Sequence, residues 1–507
     1  MAAHLKKPAK APRPPKVFLL RPPYAVFAKG FEKRIGLPLG LCSIAAVLEQ
    51  NGVRPTLFDA AAYDDSRDPL LWGASWDRIE RAVREAGPDI VGITNQFSQQ
   101  KSLALEAARR IKALDPGIRV IIGGPTASAR PGDFLGSGLF DLAVVGEGEE
   151  TILDILRFTQ GRAALNEIPG LAWTDRGKLR INPPKRIENL DALPFPAYHL
   201  LDLERYFDLS RRGLGTRPAD PFERPLRDMS LITSRGCPYN CVFCSIHASM
   251  GKRWRANSPE YVLRHVEHLV KAFRVELVHF EDDNFTFNRR RVQAILKGLA
   301  PLNVEWDTPN GIRADTLDRE TLVLMKQSRV KEIRVALESG SQRVLDEVIG
   351  KRLDLARAVR VCRECHELGL PVSSFYVIGL PGETRREIDL TLDLAFRLMS
   401  AYGVSPHVSI ANPLEGTPLF DACDEGGCLV PAGEPGAFVN GRRAIHTGEF
   451  SAGDIERAYA SFHRKAAILY GLQFVKKPGR ALQKLRTLIR FPRKTLELIR
   501  AILQTLA

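Results

Sequence analysis

The feature that most constrains the fold is an alternation of short apolar runs with amphipathic helical stretches, which occurs in two separate series. In the first series the stretches Leu39–Asn51, Trp76–Ala86 and Lys101–Leu114 have helical spacing. Five apolar runs are its strand candidates: Val17–Arg21, Pro55–Asp59, Ile90–Asn95, Val120–Gly123 and Leu142–Gly146. Strands separated by helices pair in parallel, because each connection crosses back over the sheet. Residues 17–165 are therefore predicted to form an α/β domain with a doubly wound, Rossmann-like sheet.

The second series predicts a partial barrel. Its helical stretches include Pro259–Phe273, Arg289–Leu299 and Leu353–Leu368. Its six strand candidates are Ser230–Ser234, Leu277–Asp282, Glu305–Thr308, Glu332–Ala336, Ser373–Gly379 and His407–Ala411. Six successive strand–helix units predict a partial (β/α)6 barrel of the TIM type over residues 227–430, with its chemistry at the C-terminal strand ends. We interpret residues 166–226, which are rich in Pro, Arg and aromatic residues, as a packed linker, and residues 431–507 as a helical C-terminal region.

The net charge of +14 is concentrated at the two ends of the chain. Residues 1–16 carry five positive charges and no acid, and are predicted to form a disordered basic arm. Residues 476–507 carry nine positive charges against one acid. The two ends thus account for thirteen of the fourteen net charges, so the rest of the chain is nearly neutral and no nucleic-acid partner is expected.

The sequence also bears on where the protein resides. It has no run of eighteen apolar residues and no secretory signal, and its eight cysteines are spread thinly, so a reducing, cytoplasmic location is expected. The segment Ala481–Leu506 places apolar residues at helical spacing opposite a basic face, interrupted by Pro492. Two interpretations stay open for it: a helix docked on the barrel, or peripheral contact with the inner face of an anionic membrane.

Three cysteines lie in one short loop, directly after the first strand candidate of the second series. Cys237, Cys241 and Cys244 are separated by three and two residues. Three thiolates on one loop can bind three irons of a [4Fe-4S] cluster and leave the fourth iron open to a substrate. The alternative is a zinc loop, which needs a fourth ligand, and His247 is near enough in sequence to supply it.

This motif resembles the radical S-adenosylmethionine (SAM) superfamily, and the resemblance covers residues 228–430. In that family SAM binds the open iron, and one electron from the cluster cleaves it into methionine and a 5′-deoxyadenosyl radical. The resemblance implies SAM contacts at successive strand ends: Phe243, Gly379 and Glu383 near the adenine, Asp282 and Asp283 at the amino group, Arg313 at the carboxylate, and Glu338 with Ser339 at the ribose. No catalytic residue is assigned.

The first domain resembles the cobalamin-binding domain that precedes many radical SAM enzymes. The resemblance covers residues 17–160 and is carried by the stretches 21–23, 37–41, 123–126 and 145–150. It implies contacts to the corrin amides and nucleotide tail from Thr94, Asn95, Gln96, Gly123, Gly124, Thr126, Gly146, Glu147 and Gly148. No histidine occurs in residues 17–160, so no histidine of this domain can ligate the cobalt. Binding of a nucleotide, or of nothing, stays open as an alternative.

Together the two resemblances imply a cobalamin-dependent radical SAM methyltransferase that acts on an unactivated carbon of a small molecule or lipid. One SAM would provide the methyl group through cobalamin and a second the radical, with a flavodoxin- or ferredoxin-type protein as the reductant. Two alternatives remain: an oxidative cyclase or rearrangement enzyme with the same cofactors, and a non-catalytic cobalamin or redox sensor.

The other five cysteines are predicted to be structural. Cys362 and Cys365 have the spacing of a metal half-site but lie within a helical stretch without a partner pair, and Cys42 lies in another helical stretch. Cys423 and Cys428 flank a Gly-rich turn, where an auxiliary cluster is an alternative although two ligands are too few for one.

Overall fold

The computed structural model divides the chain into two compact units and describes residues 15–25, 34–68, 70–216, 224, 226–430, 438–439, 442–443 and 445–476. The first unit comprises the chain up to residue 25 together with residues 40–187 and 193–201. The second comprises residues 26–39, 188–192 and the chain from residue 202 onward. The predicted tail Ala481–Leu506 and residues 1–14 of the predicted arm lie outside the described residues.

A seven-stranded sheet forms the first unit. Its strands are β1 (Val17–Arg21), β2 (Thr56–Asp59), β3 (Ile90–Thr94), β4 (Arg119–Gly123), β5 (Leu142–Val144), β6 (Leu171–Asp175) and β7 (Lys178–Ile181). The order across the sheet is β2-β1-β3-β4-β5-β6-β7, and the first five of these strands are parallel. The helices are α1 (Leu39–Gln50), α2 (Trp76–Ala86), α3 (Lys101–Leu114), α4 (Pro125–Ala129), α5 (Pro131–Leu135) and α6 (Glu149–Thr159).

Both faces of this sheet are buried under helices. In β1, Phe18 and Leu20 belong to one apolar core, whereas Val17 and Leu19 belong to the other. Successive side chains of a strand point to opposite faces, so an unbroken apolar run is what a sheet covered on both sides requires. The doubly wound α/β fold predicted from the sequence is confirmed.

The strand order places a crevice in the first unit. The chain leaves β1 for β2 on one side and later returns to β3 on the other side of β1. The loops after β1 and β3 therefore diverge at the carboxyl edge of the sheet. In doubly wound sheets this reversal point is where ligands bind.

At residues 166–187 the structure has sheet strands where the sequence predicts a linker. Strand β6 pairs antiparallel with β5, and β7 pairs antiparallel with β6, so this stretch extends the sheet. The two-residue turn between β6 and β7 is Arg176-Gly177, and both residues have positive φ, as a type I′ hairpin requires. All four side chains of β7 are exposed, which removes the apolar alternation that identifies a strand in sequence.

Six parallel strands form the sheet of the second unit. They are β8 (Asp228–Leu231), β9 (Leu277–Phe280), β10 (Glu305–Asp307), β11 (Val330–Glu338), β12 (Val372–Ile378) and β13 (Ser405–Ile410), in sequence order across the sheet. The helices are α7 (Leu203–Arg211), α8 (Ile246–Met250), α9 (Pro259–Phe273), α10 (Arg289–Leu299), α11 (Arg319–Gln327), α12 (Leu355–Leu368), α13 (Arg385–Tyr402), α14 (Pro418–Glu425) and α15 (Ala452–Lys476). The predicted partial (β/α)6 barrel is confirmed.

The longest barrel strand, β11, separates two chemical environments. Ile333, Val335 and Leu337 are fully buried and alternate with the polar Glu332 and Arg334. Helices cover the outer face of such a barrel, so the polar residues line its interior. Among the described residues, no helix is both long and apolar enough to cross a bilayer.

Candidate functional site

The three-cysteine loop begins at the carboxyl end of β8 and is closed at its base. A short antiparallel pair joins Ser234–Arg235 to Arg255–Ala256. Between these strands Gly236 has a φ of 81°, and a Cβ there would lie 2.4 Å from the Arg253 carbonyl oxygen. Only glycine fits this turn, because any side chain would meet backbone as well as an unfavourable φ. The turn thereby places all three cysteines in one loop at the barrel mouth.

The thiols suit a cluster in their chemistry. Cys237, Cys241 and Cys244 are free and partly exposed. Burial raises the pKa of all three, that of Cys244 to about 12, so they become thiolates only when a metal displaces their protons. Among the residues that the structure describes, no three His, Cys, Asp or Glu side chains converge as they would around a single metal ion. In a cubane each thiolate binds a different iron and needs no such convergence.

The zinc alternative needs His247 as its fourth ligand. The Nε2 atom of His247 lies 2.9 Å from the Cys237 carbonyl oxygen, within hydrogen-bond distance, which leaves only Nδ1 for a metal. Among the described residues no three His, Cys, Asp or Glu side chains converge as a zinc site requires, so the three thiols on one loop fit a [4Fe-4S] cluster better than zinc.

The cysteine loop rests on the segment that follows β11. The Val242 amide donates to the Ile349 carbonyl at 3.0 Å, and the Leu419 amide at the start of α14 donates to the Val242 carbonyl at 2.9 Å. A Cβ on Gly350 would lie 3.0 Å from the Asn240 carbonyl oxygen, so the two backbones are in close contact. These contacts fix the loop on the side away from its base.

Arg313, a predicted SAM contact, braces this arrangement. Its guanidinium donates to the Asp315 carboxylate and to the carbonyls of Lys351 and Arg352, at 2.7–3.1 Å. It also stacks 3.8 Å from the ring centroid of Tyr239, within the cysteine loop. The structure therefore gives Arg313 a positioning role, while its contact with the SAM carboxylate stays a prediction.

Glu338 ends β11 next to a lysine that the sequence did not single out. A register shift and a φ of 65° turn the chain at Glu338. Its Oε1 accepts a hydrogen bond from Lys351 Nζ at 2.8 Å, and both side chains are buried. The Lys351 ammonium is also close enough to Cys241 to lower the pKa of that thiol against the larger effect of burial. Lys351 follows β11 outside any recognisable motif, so only the structure reveals it.

Ser339, the other predicted ribose contact, is within hydrogen-bond distance of a residue in α13. Its hydroxyl lies 3.1 Å from Thr391 Oγ1 and accepts from the Ser341 amide at 3.1 Å. A Cβ on Gly340 would lie 2.4 Å from the Leu390 carbonyl oxygen. This turn is thus held against the helix, and Glu338 is the residue that it directs to the barrel mouth.

The two adjacent aspartates after β9 have different surroundings. Asp282 is buried and accepts from the Thr233 amide and hydroxyl and from the Ser234 hydroxyl, at 2.5–3.1 Å. It therefore joins β9 to the residues before the cysteine loop. Asp283 reaches the surface, yet surrounding protein removes much of its water, and this desolvation raises its pKa to about 7. Of the two predicted contacts, Asp283 is the one that a ligand can reach.

The predicted adenine contacts lie on two segments, the turn after β12 and the cysteine loop. Glu383 Oε2 accepts from the amides of Gly379 and Leu380, at 2.8 and 3.1 Å, and so closes the turn after β12. Burial raises the pKa of Glu383 to about 7. Phe243 lies half-buried beside Cys244 in the cysteine loop. These residues end at the same edge of the barrel, because all six strands are parallel.

The barrel interior carries a buried row of charges across three strands. His279 lies between two carboxylates, with Nδ1 2.6 Å from Asp307 and Nε2 3.0 Å from Asp228. Burial alone lowers the pKa of His279, but the two carboxylates overcome this and raise it to about 10. The imidazole is therefore a cation at neutral pH. Arg334 lies 3.8 Å from the same Asp307 carboxylate.

In the first unit a pocket lies at the reversal point between β1 and β3. It is open to solvent on one side and is lined by Arg21, Pro22, Pro23, Tyr24, Thr94, Asn95, Gln96, Phe97 and Gln100. Three of the predicted cobalamin contacts, Thr94 to Gln96, are among these residues. Arg21 is held by a buried ion pair with Asp59. Tyr24, Phe97 and Gln100 also line the pocket, although their spacing in the sequence gives no signal of it.

The other predicted cobalamin contacts form close backbone turns beside this pocket. A Cβ on Gly124 would lie 2.6 Å from the Asn95 carbonyl oxygen, to which the Thr126 amide donates at 3.4 Å. Gly123, just before that turn, accepts from the Asn95 amide at 2.8 Å.

The last three predicted contacts follow β5. A Cβ on Gly146 or Gly148 would meet Arg186 or Ile44 at 2.7 and 2.9 Å. Glu147 is buried, and its carboxylate accepts from the Ile187 amide at 3.0 Å. These residues shape the carboxyl edge of the sheet, and the structure gives Glu147 a bond within the protein.

Comparisons with known proteins match both units. The family model of the Radical SAM superfamily matches residues 231–395, and that of the B12 binding domain matches residues 33–156. Cytidylyl-2-hydroxyethylphosphonate methyltransferase of Streptomyces wedmorensis is 31% identical over 82% of this chain and 83% of its own. An uncharacterised methyltransferase of Pyrococcus horikoshii is 30% identical over 80% and 82%. An anaerobic magnesium-protoporphyrin IX monomethyl ester cyclase of Cereibacter sphaeroides is 25% identical over 71% and 57%.

Two solved structures share the fold. The cobalamin-dependent SAM radical enzyme OxsB, with aqua-cobalamin and SAM bound, aligns with a TM-score of 0.68 and 20% identity. The alignment covers 88% of this chain and 66% of that longer chain. The radical SAM methyltransferase TsrM of Kitasatospora setae, with cobalamin and a [4Fe-4S] cluster bound, aligns with a TM-score of 0.64 and 18% identity, over 82% and 76%.

Proposed function

Because the chain belongs to the radical SAM enzymes that carry an N-terminal B12-binding domain, we propose that it transfers a methyl group from SAM, through cobalamin, to an unactivated carbon of a small molecule. The two domains imply its cofactors, namely SAM, a [4Fe-4S] cluster and cobalamin. The observation that carries the proposal is the match at 30–31% identity, over most of both chains, to two proteins named as methyltransferases.

The cofactors supply the difficult chemistry: the reduced cluster cleaves SAM to a hydrogen-abstracting radical, and cobalamin carries the methyl group. The chain's own residues hold and orient them. Cys237, Cys241 and Cys244 hold the cluster, and Asp283, Glu338, Glu383 and Phe243 surround SAM. We assign Arg313 and Lys351 to positioning, because their bonds connect the cysteine loop to the end of β11.

The relative at 31% identity, which is named as a cytidylyl-2-hydroxyethylphosphonate methyltransferase, favours a polar substrate over a lipid. The charged side chains of Asp228, His279 and Asp307 do not bear on this choice, because they are bonded to one another inside the packed barrel. Binding measurements with nucleotide-linked and with polyisoprenoid compounds would separate the two classes, and tight binding of the polyisoprenoid alone would refute this preference.

Anaerobic turnover with SAM labelled in its methyl group tests the proposal. The reconstituted enzyme, with a low-potential flavodoxin or ferredoxin as the reductant, is incubated with extracts as a source of substrate. Methyl transfer predicts label in a product and formation of both S-adenosylhomocysteine and 5′-deoxyadenosine. Deoxyadenosine without any labelled product would reject methyl transfer.

A cyclase or rearrangement is the second candidate, favoured by the cyclase relative at 25% identity. It predicts a product with no added CH₂, which mass spectrometry distinguishes from a methylated one. The sensor alternative gains no support, because the relatives described above are named as enzymes. Failure to form any deoxyadenosine from reduced, cluster-loaded protein would revive it.

A further inference from the structure

Two residues that line the pocket at the reversal point of the first sheet each carry a buried polar atom that lacks a partner. Asn95 is 2% exposed and Gln100 is 8% exposed. Within the described part of the chain, Asn95 Oδ1 and Gln100 Nε2 make no hydrogen bond. A buried polar atom without a partner costs free energy, so such atoms are typically satisfied by a ligand or an ordered water.

The hydrogen bond between Gln100 and Ala25 shows which atom of the Gln100 amide lacks a partner. The Ala25 backbone amide donates a hydrogen bond to Gln100 Oε1 at 2.8 Å. A side-chain amide can be built with its oxygen and nitrogen exchanged, but here a donor faces the oxygen, so the nitrogen must be the free end. Gln100 therefore offers the pocket a donor, and Asn95 offers it an acceptor.

A primary carboxamide carries both of the groups that these two atoms lack. A primary carboxamide donates through its NH₂ and accepts through its C=O, which matches the acceptor of Asn95 and the donor of Gln100. A phosphate or carboxylate has no donor for Asn95, and an ammonium has no acceptor for Gln100. The remaining walls include Pro22, Tyr24 and Phe97, and Phe97 is 43% exposed.

We propose that Asn95 and Gln100 form a carboxamide-reading pair that binds one of the primary amide arms at the rim of the corrin ring. The pocket is open on one side, with Tyr24 and Phe97 in its lining, so the arm would enter it while the macrocycle stays outside. The inference rests on cobalamin as the cofactor and does not depend on methyl transfer. It adds Gln100 to the binding residues and gives Asn95 a defined partner.

Equilibrium binding of aquacobalamin to the full-length protein, followed by its visible absorbance, tests the pair. Gln100→Glu keeps the oxygen that Ala25 needs but replaces the free donor with an acceptor, and Asn95→Leu removes the acceptor. Each change is expected to weaken binding about tenfold, the loss of one well-formed hydrogen bond. Gln99→Leu is the matched control, because Gln99 lies beside Gln100 but not in the pocket lining, and it should bind as the wild type does.

Corrinoids in which one amide arm is hydrolysed to a carboxylate identify the arm. One isomer should bind about tenfold more weakly than cobalamin to the wild type, because its carboxylate faces Asn95 Oδ1. Asn95→Leu should remove most of that difference. Equal affinity of both pocket variants and the wild type for aquacobalamin, or of all the isomers for the wild type, would overturn the proposal. A chain that binds cobalamin as expected but transfers no methyl group would refute the proposed function alone.

Discussion

Removal of the Lys351 ammonium should strongly destabilise the second unit, because it leaves a buried carboxylate without its partner. The Lys351 and Glu338 side chains are 6% and 9% exposed, and Nζ lies 2.8 Å from Oε1. Breaking a buried ion pair on one side typically costs about 3–5 kcal/mol. Lys351→Met keeps the length and the apolar stem of the side chain, so the charge is the main loss.

Two further variants show whether the charge is responsible. Glu338→Gln combined with Lys351→Met leaves no uncompensated charge, so we expect the double variant to recover at least about half of the loss, by the same argument. Arg319→Met is the exposed control. Arg319 and Glu367 form an ion pair with side chains 58% and 46% exposed, and such pairs contribute about 0–1 kcal/mol.

Thermal unfolding under reducing conditions, without cluster or SAM, gives the overall effect. About 3 kcal/mol corresponds to a Tm lower by roughly 4–5 °C for a unit of about 325 residues. Amide hydrogen exchange in β11 and β12 localises the effect to the second unit. The reasoning is wrong if Lys351→Met is no less stable than Arg319→Met, or if the double variant is less stable than Lys351→Met.

Two other predictions concern the same unit. The two neighbouring carboxylates raise the pKa of His279 from its ordinary value of 6.5 to about 10 in the folded protein. The contribution of His279 to stability is therefore complete below pH 6.5 and is lost as the pH rises toward 10. Asp307→Asn should move this loss to lower pH, and urea midpoints that keep the wild-type pH profile would contradict the assignment. Gly236→Ala should abolish cluster loading, because its Cβ would meet the Arg253 carbonyl at 2.4 Å; iron bound at wild-type levels after anaerobic reconstitution would show that the turn tolerates a side chain.

The strands of the first sheet could be predicted from the sequence because a strand that is buried on both faces is apolar at successive positions. The run Val17–Leu20 is apolar at every position, since its side chains supply both cores. The hairpin formed by β6 and β7 has no such apolar pattern in β7, because β7 is exposed at all four positions. Its signal was the pair Arg176-Gly177, which suits a type I′ turn but is too short to identify a strand.

The candidate site likewise contains residues that the sequence predicts and residues that only the structure reveals. The cysteines were recognisable because their chemistry is tied to spacing within one loop. The roles of Lys351 and Gln100 and the surroundings of the exposed Asp283 depend on contacts between distant parts of the chain, which spacing does not encode. The different surroundings of Asp282 and Asp283 could not be read from two adjacent identical residues, because one is bonded to Thr233 and the other faces the surface.

Electron paramagnetic resonance of the reduced cluster, recorded with and without SAM, tests the central claim most directly. The account predicts a [4Fe-4S] signal that changes when SAM is added, because one iron has no protein ligand. Cys241→Ala should lose the signal, and Cys423→Ala should keep it. A signal that SAM leaves unchanged, or retention of the full cluster in Cys241→Ala, would contradict a three-cysteine site with one open iron.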